Sequence, residues 1–111
     1  MNVCGEMPKL RELMNKKFKL HITEVLEELN YPLIDINVQI PKKISHGDLT
    51  TNIAMILAKS LKQNPIEISK KITALLNTKF SEHYESVDIA GPGFINVKLN
   101  RETIISLIKK I

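Results

Sequence analysis

Two short runs separated by Gly91-Pro92-Gly93 constrain this chain more than any other feature of its sequence. Val87-Asp88-Ile89-Ala90 and Phe94-Ile95-Asn96-Val97-Lys98-Leu99 read as strands, and three turn-forming residues between them predict an antiparallel hairpin. Successive side chains on a strand point to opposite faces. Ile95, Val97 and Leu99 therefore belong to a core, while Phe94, Asn96 and Lys98 stand on the other side.

The remaining elements follow from periodicity. Between about Lys9 and Leu29, Leu10, Leu13, Met14, Phe18, Ile22, Val25, Leu26 and Leu29 recur at three and four, the stripe of an amphipathic helix. Asn30 and Tyr31-Pro32 stop it, because proline disfavours helical geometry in the residue before it. Ile34, Ile36, Val38 and Ile40 alternate with polar residues and predict a strand ended by Pro41. Asp48 is an expected N-cap for a helix over about Leu49 to Leu61, with Ile53, Ile56, Leu57 and Leu61 inward. Asn64-Pro65-Ile66-Glu67 starts another helix, with Asn64 as cap, Pro65 in the first turn and Glu67 reaching back. Its stripe is Ile68, Ile72, Leu75 and Leu76. After the hairpin, Asn100 caps a last helix whose apolar face is Ile104, Leu107, Ile108 and Ile111. That helix reaches the last residue without a stop signal, as in a chain cut short.

The order helix, strand, two helices, hairpin, helix predicts an α+β two-layer sandwich. A small, mainly antiparallel sheet carries helices on one face and leaves the other open. At 111 residues, one domain spanning 1–111 is expected, without internal repeats or linkers. A hydrophobic share of 43% is ordinary for a globular protein and argues against intrinsic disorder, and the absence of tryptophan leaves Ile, Leu and Val to fill the core.

Cys4 is the only cysteine, which excludes an internal disulfide and a cysteine-rich zinc site and fits a reducing, cytoplasmic setting. Glu6, Lys9, Arg11 and Glu12 interrupt what would have to be the apolar run of a signal peptide. No uninterrupted apolar segment is long enough to span a bilayer. The net charge of +4 and the pI near 9.2 agree with a polyanionic partner, although many proteins without one share them.

Phe94, Asn96 and Lys98 form a row suited to single-stranded nucleic acid. A ring can stack on an unpaired base, a carboxamide can pair with a base edge, and an ammonium can meet phosphate. The plainer alternative is that Phe94 packs under the glycine loop while Asn96 and Lys98 merely stay solvated. His46, beside Gly47 and Asp48, could be read as a general base held by a carboxylate. Asp48 is better used on a helix N-terminus, so His46 is assigned a structural role, and Gly47 supplies backbone freedom. His21, His46 and His83 are far apart in sequence, and no nucleophile or metal-ligand spacing accompanies them. Gly91-Pro92-Gly93 lacks the strand-to-helix setting and the lysine of a phosphate loop. The mixed charges of the first helix, including Lys16, Lys17, Lys19, Glu24, Glu27 and Glu28, make an ordinary solvated face.

Two stretches together resemble the N-terminal domain of the arginyl-tRNA synthetases: Ser45-His46-Gly47-Asp48-Leu49-Thr50-Thr51-Asn52-Ile53-Ala54, and Ile89-Ala90-Gly91-Pro92-Gly93-Phe94-Ile95-Asn96-Val97. Asn64-Pro65, after an Ala-Lys-x-Leu helix end, is similar to the same family. The likeness covers roughly Ile34 to Leu99. His46, Gly47, Asp48, Asn52, Gly91, Pro92 and Gly93 are carried over as structural motif positions. Leu49 departs from the pattern, standing where the family usually has Phe or Tyr, which bears on local packing.

The resemblance implies a module that docks on the tRNA elbow and touches an unpaired D-loop base with an aromatic and an amide residue, here Phe94 and Asn96. Lys98 extends that row by position. The implied partners are arginine tRNA and the enzyme's own catalytic domain in cis, with neither DNA nor a membrane. The full-length enzyme would join arginine to tRNA using ATP with magnesium. Its catalytic and anticodon-binding domains are expected to lie outside this chain. Neither the His-x-Gly-His nor the Lys-Met-Ser-Lys type of motif is present, so no catalytic residue, metal or cofactor is expected here. A free-standing RNA-binding or protein-docking module of the same fold is the alternative.

Overall fold

The computed structural model describes residues 3–41 and 47–109. Four helices and four strands follow one another as α1 (Val3–Glu28), β1 (Val38–Gln39), β2 (Leu49–Thr51), α2 (Ile53–Leu61), α3 (Pro65–Lys79), β3 (Tyr84–Ala90), β4 (Phe94–Leu99) and α4 (Arg101–Ile108). The sheet has the order β1-β2-β4-β3, and every neighbouring pair is antiparallel. The expected α+β sandwich is what the chain forms.

Helix α1 starts earlier than its periodicity places it and buries Met14, Phe18, Ile22, Val25 and Leu26. It stops where expected, through a left-handed Asn30 (φ 59°). Asn30 N–H donates to Glu27 O (3.1 Å) and Tyr31 N–H to Leu26 O (2.9 Å), so the last carbonyls are satisfied as in a Schellman ending. Helices α3 and α4 begin at their expected caps: Asn64 accepts from Ile66 N–H and Asn100 from Thr103 N–H, both at 2.8 Å.

Three expectations need correction. The strand over Ile34–Ile40 pairs only at Val38 and Gln39. Ile34, Ile36 and Val38 still turn inward and their polar neighbours outward, so the alternation reports burial correctly. Among the described residues its one ladder partner is β2, which is three residues long and leaves the rest unpaired. Ile40 is exposed. The helix placed over Leu49–Leu61 is in fact strand β2 followed by α2. Leu49 and Thr51 face the core with Thr50 between them, and the helix begins only at Ile53. The inner face of α2 is accordingly Ile53, Ala54, Leu57 and Ala58, while Ile56 is exposed. Third, Asp48 is not an N-cap, as its contacts below show. His46, together with Lys42, Lys43 and Ser45, lies outside the described residues, as does Ile111.

Helices α2 and α3 lie against β4, α3 also against β3, and α1 packs on α3 and α4. Between these layers Phe18, Ile22, Leu26, Leu49, Ile53, Leu57, Ile68, Ile72, Leu76, Ile95 and Val97 are sealed from water. Each such side chain contributes roughly 1.5–3 kcal/mol relative to exposure, so this aliphatic cluster holds the sandwich together. Leu49, the departure from the family pattern, is part of it. No helix among the described residues is long and apolar enough to cross a membrane.

Candidate nucleic-acid interface on the helix-free face

Strand register fixes which residues share the uncovered face. Thr50 lies opposite Asn96, Asn96 opposite Asp88, and Gln39 opposite Thr50, so Gln39, Thr50, Asn96 and Asp88 make one row across all four strands. One step along, Phe94 pairs with Ala90, and continuing the β2 register sets Asn52 opposite Phe94. One step the other way, Lys98 pairs with Ser86. The result is a polar surface with a single aromatic ring near its edge.

Phe94 is held there by its turn. Gly93 N–H donates to Ala90 O, which closes the hairpin. The Ser69 hydroxyl of α3 lies 2.9 Å from Gly93 O and 2.8 Å from Pro65 O, tying the hairpin tip to the start of that helix. Gly93 has φ 138°, and a Cβ on it would come within 3.2–3.3 Å of Pro65, Ser69 and Met55. Only glycine fits this approach without displacement. Phe94 itself remains 37% exposed, so it does not disappear under the glycine loop.

Asn96 requires a correction. It faces the uncovered side, as alternation predicts, but is only 6% exposed. Strand β4 is interior to the sheet, and Thr50 and Asp88 flank the carboxamide from both neighbouring strands. Lys98 is exposed but paired, with Nζ 3.4 Å from Glu85 Oε2. Both partners of that pair are largely solvated, so it contributes at most about 1 kcal/mol and an anion can compete for the lysine.

Asp48 and Gly47 anchor the region from below. Asp48 N–H donates to Val97 O (2.8 Å), and its carboxylate accepts from Leu99 N–H (3.0 Å). The side chain thus serves as an extra ladder partner for β4, which is why it is unavailable to α2. Asn52 stands at the N-cap position of α2 without making a side-chain cap bond. Gly47 has φ 110°, and a Cβ there would meet Val97 O at 2.6 Å. Backbone freedom and close approach are both required at this position.

Sequence reasoning missed the contribution of β1 and β2 to this face. Thr50, Asn52 and Gln39 join it only because β2 pairs with both β1 and β4. The available signal was the β-branched pair Thr50-Thr51, which favours a strand over the first turn of a helix.

A second polar cluster lies at the far end of the hairpin. His21 Nδ1 and the Tyr84 hydroxyl are 2.6 Å apart, and the His21 ring stacks on Phe80 with centroids 4.0 Å apart. His83 approaches the same ring at 5.0 Å, so two histidines distant in sequence meet in space. Burial, then the neighbouring His83 and Lys17, push His21 down to about 4, and burial pushes Tyr84 up. Both are neutral near pH 7. Among the described residues no three metal-ligating side chains come together.

Residues 16–99 match the model of the family described as the arginyl tRNA synthetase N terminal domain. A 74-residue segment is 45% identical to the arginine–tRNA ligase of Staphylococcus aureus (strain JH9), covering 67% of this chain and 13% of that protein. Two solved structures share the fold at 24% identity. The arginyl-tRNA synthetase of Thermus thermophilus superposes with a TM-score of 0.64 over 78% of this chain and 14% of its own. That of Plasmodium falciparum reaches 0.71 over 87% of this chain and 18% of its own. The chain therefore spans a small part of the length of the relatives it matches.

Proposed function

This chain belongs to the arginyl-tRNA synthetase N-terminal domain family, and on that premise we propose that it is the tRNA-binding module of an arginine–tRNA ligase. It takes an unpaired D-loop base on the Phe94 ring and leaves the chemistry to other domains. Arginine activation with ATP and magnesium, and transfer to tRNA, would belong to a catalytic domain joined in cis, in the cytoplasm.

The observation that carries this reading is Phe94: an aromatic ring 37% exposed on a helix-free, polar sheet face, fixed in place by a hairpin tip bonded to α3. A ring in such a setting stacks on any unpaired base, for roughly 1–3 kcal/mol. The carboxamide of Asn96 in the same strand is nearly covered, so its part is to border the site and to meet a base edge only at close approach. Lys98 is a phosphate contact that first has to leave Glu85. One ring and a few phosphates offer little contact area, so the isolated chain binds tRNA weakly and loses affinity as salt rises.

Nuclease footprinting of arginine tRNA at low salt tests the assignment. The chain is expected to protect the D-loop, and Phe94→Ala to lose that protection. Protection that persists unchanged in both Phe94→Ala and Asn96→Ala would remove this surface from the interface. Pyrophosphate exchange with arginine, tRNA and ATP should stay at background, and turnover by this chain alone would overturn the non-catalytic reading.

A further inference from the structure

The uncovered face that carries Phe94 holds little to attract a phosphate. Asp88 stands exposed in its central row, and Lys98, roughly 13 Å along β4 from Phe94, is paired with Glu85. Most of the chain's net charge of +4 lies on helices α2 and α3. Between Ile53 and Thr78, Lys59, Lys62, Lys70 and Lys71 stand against a single acid, Glu67, and all are exposed.

Helix geometry sorts these lysines. Helix α2 sets out from the uncovered face, since its N-cap Asn52 continues the β2 register opposite Phe94. Met55, within its first turn, reaches the hairpin tip, where a Cβ on Gly93 would lie 3.3 Å from it. At about 100° per residue, Lys59 and Lys62 continue the stripe that Met55 begins, ~10 and ~15 Å along the helix from Asn52. Neither makes an ion pair among the described residues. Lys62 also takes a left-handed backbone (φ 56°), where glycine or asparagine is the ordinary choice. The backbone gives no reason for a lysine there, and its free ammonium does. Lys71 points elsewhere: Ser69 of α3 faces the hairpin tip, and two positions on the helix has turned by about 200°. Glu67, one turn before Lys71, offsets it further.

A base lying on Phe94 leaves its sugar-phosphate chain two ways to run. Across the sheet it meets Asp88 and Glu85. Over the hairpin tip it meets the unpaired ammonium groups of α2. Screening limits each charge to ~8–10 Å at physiological salt, so Lys59 and Lys62 act on phosphates that come beside them.

We propose that Lys59 and Lys62 bind the phosphates next to the nucleotide stacked on Phe94, so that the RNA interface passes round the hairpin tip from the sheet to the helical layer. The inference rests on the reading that Phe94 stacks an unpaired base.

The test measures binding of arginine tRNA to the 111-residue chain by fluorescence anisotropy between about 50 and 200 mM salt. Each single-strand phosphate contact contributes ~0.7 to the slope of log affinity against log salt. The double variant Lys59→Gln/Lys62→Gln should make that slope shallower by about 1.4, so its deficit against the parent shrinks about sevenfold across this range. Lys71→Gln should change the slope by less than half of one contact. Phe94→Ala should weaken binding by a similar factor at every salt concentration, because a stacked ring releases no counterions. Urea midpoints of the glutamine variants should match the parent's, since these side chains lie in water and the two residue types have similar helix propensity. A parental slope in the double variant overturns the inference, and the stacking site stands if Phe94→Ala still weakens binding. A full step of ~0.7 in Lys71→Gln also overturns it, because net charge and not position would then set the affinity. Parental affinity in Phe94→Ala removes the stacking reading, and the path round the tip with it.

Discussion

His21 Nδ1 and the Tyr84 hydroxyl, 2.6 Å apart, join the long first helix to the edge strand of the sheet. The pair lies among Phe80, His83 and Phe18 and is neutral at physiological pH. Its titration makes the fold sensitive to acid. His21 has a folded pKa of about 4 against an ordinary 6.5, so the unfolded chain binds its proton first. The stability from the neutral ring is fully present above about pH 6.5. It is lost as pH falls towards 4, and below that the contribution is flat. The expected loss is on the order of 2 kcal/mol, less than a sealed ring would give, because water reaches its edge. Urea midpoints measured between pH 7.5 and 4 should show this slope. His21→Gln, which keeps an acceptor for the Tyr84 hydroxyl, should flatten it, and an unchanged slope would assign the effect to other groups.

The Asp48–Leu99 hydrogen bond gives a second prediction. Asp48→Ala leaves the Leu99 N–H without its partner and should destabilise the chain by about 1–3 kcal/mol. Asp48→Asn retains an acceptor and should lose less. Hydrogen exchange identifies the mechanism: the Leu99 amide should lose protection in Asp48→Ala, whereas a lost helix cap would act first on the start of α2.

Among the glycines, the order of sensitivity to alanine should be Gly47, then Gly93, then Gly91. A methyl at Gly47 would meet the Val97 carbonyl at 2.6 Å with φ 110°, and backbone on both sides leaves nothing flexible to yield. About 3 kcal/mol or more is expected there, against roughly 1–3 kcal/mol at Gly93, where side chains can shift. At Gly91 the nearest atom is the Phe94 ring at 3.7 Å, so only the left-handed backbone (φ 54°) opposes substitution, at about 1 kcal/mol. Gly93→Ala should also weaken RNA binding, because it moves the hairpin tip that carries Phe94. Chemical denaturation of the three variants checks the order.

Phe94 and Asn96 should separate in a paired stability and binding assay. Phe94→Ala removes a ring that is already partly in water, and should change unfolding free energy by about 1 kcal/mol or less while reducing RNA affinity by ~1–3 kcal/mol. Asn96→Ala empties a covered position between Thr50 and Asp88, so it should lower stability as well as binding. Equal effects of both variants on stability would contradict the difference in burial.

Much of this molecule was legible in its sequence because the relevant signals are local. The Asn64 and Asn100 caps, the Asn30 stop and the hairpin are each determined within a few residues by backbone sterics and nearby hydrogen-bond donors. Alternation placed Phe94, Asn96 and Lys98 on one face for the same reason. Strand β2 was not legible, since three residues carry too little period to compete with the helix that follows, and Asp48 resembled a cap because its real partner is distant in the chain.

The sequence by itself determined the order of elements, their apolar faces and the direction in which each β4 side chain points, all consequences of short-range geometry. Only the tertiary structure decided how much water each outward residue meets. That depends on which strands lie alongside: β2 and β3 flank β4, cover Asn96 and leave Phe94 open. The same pairing brought Thr50 and Asn52 beside that ring, and His21 beside Tyr84, because contacts between distant segments depend on packing rather than on spacing in the chain.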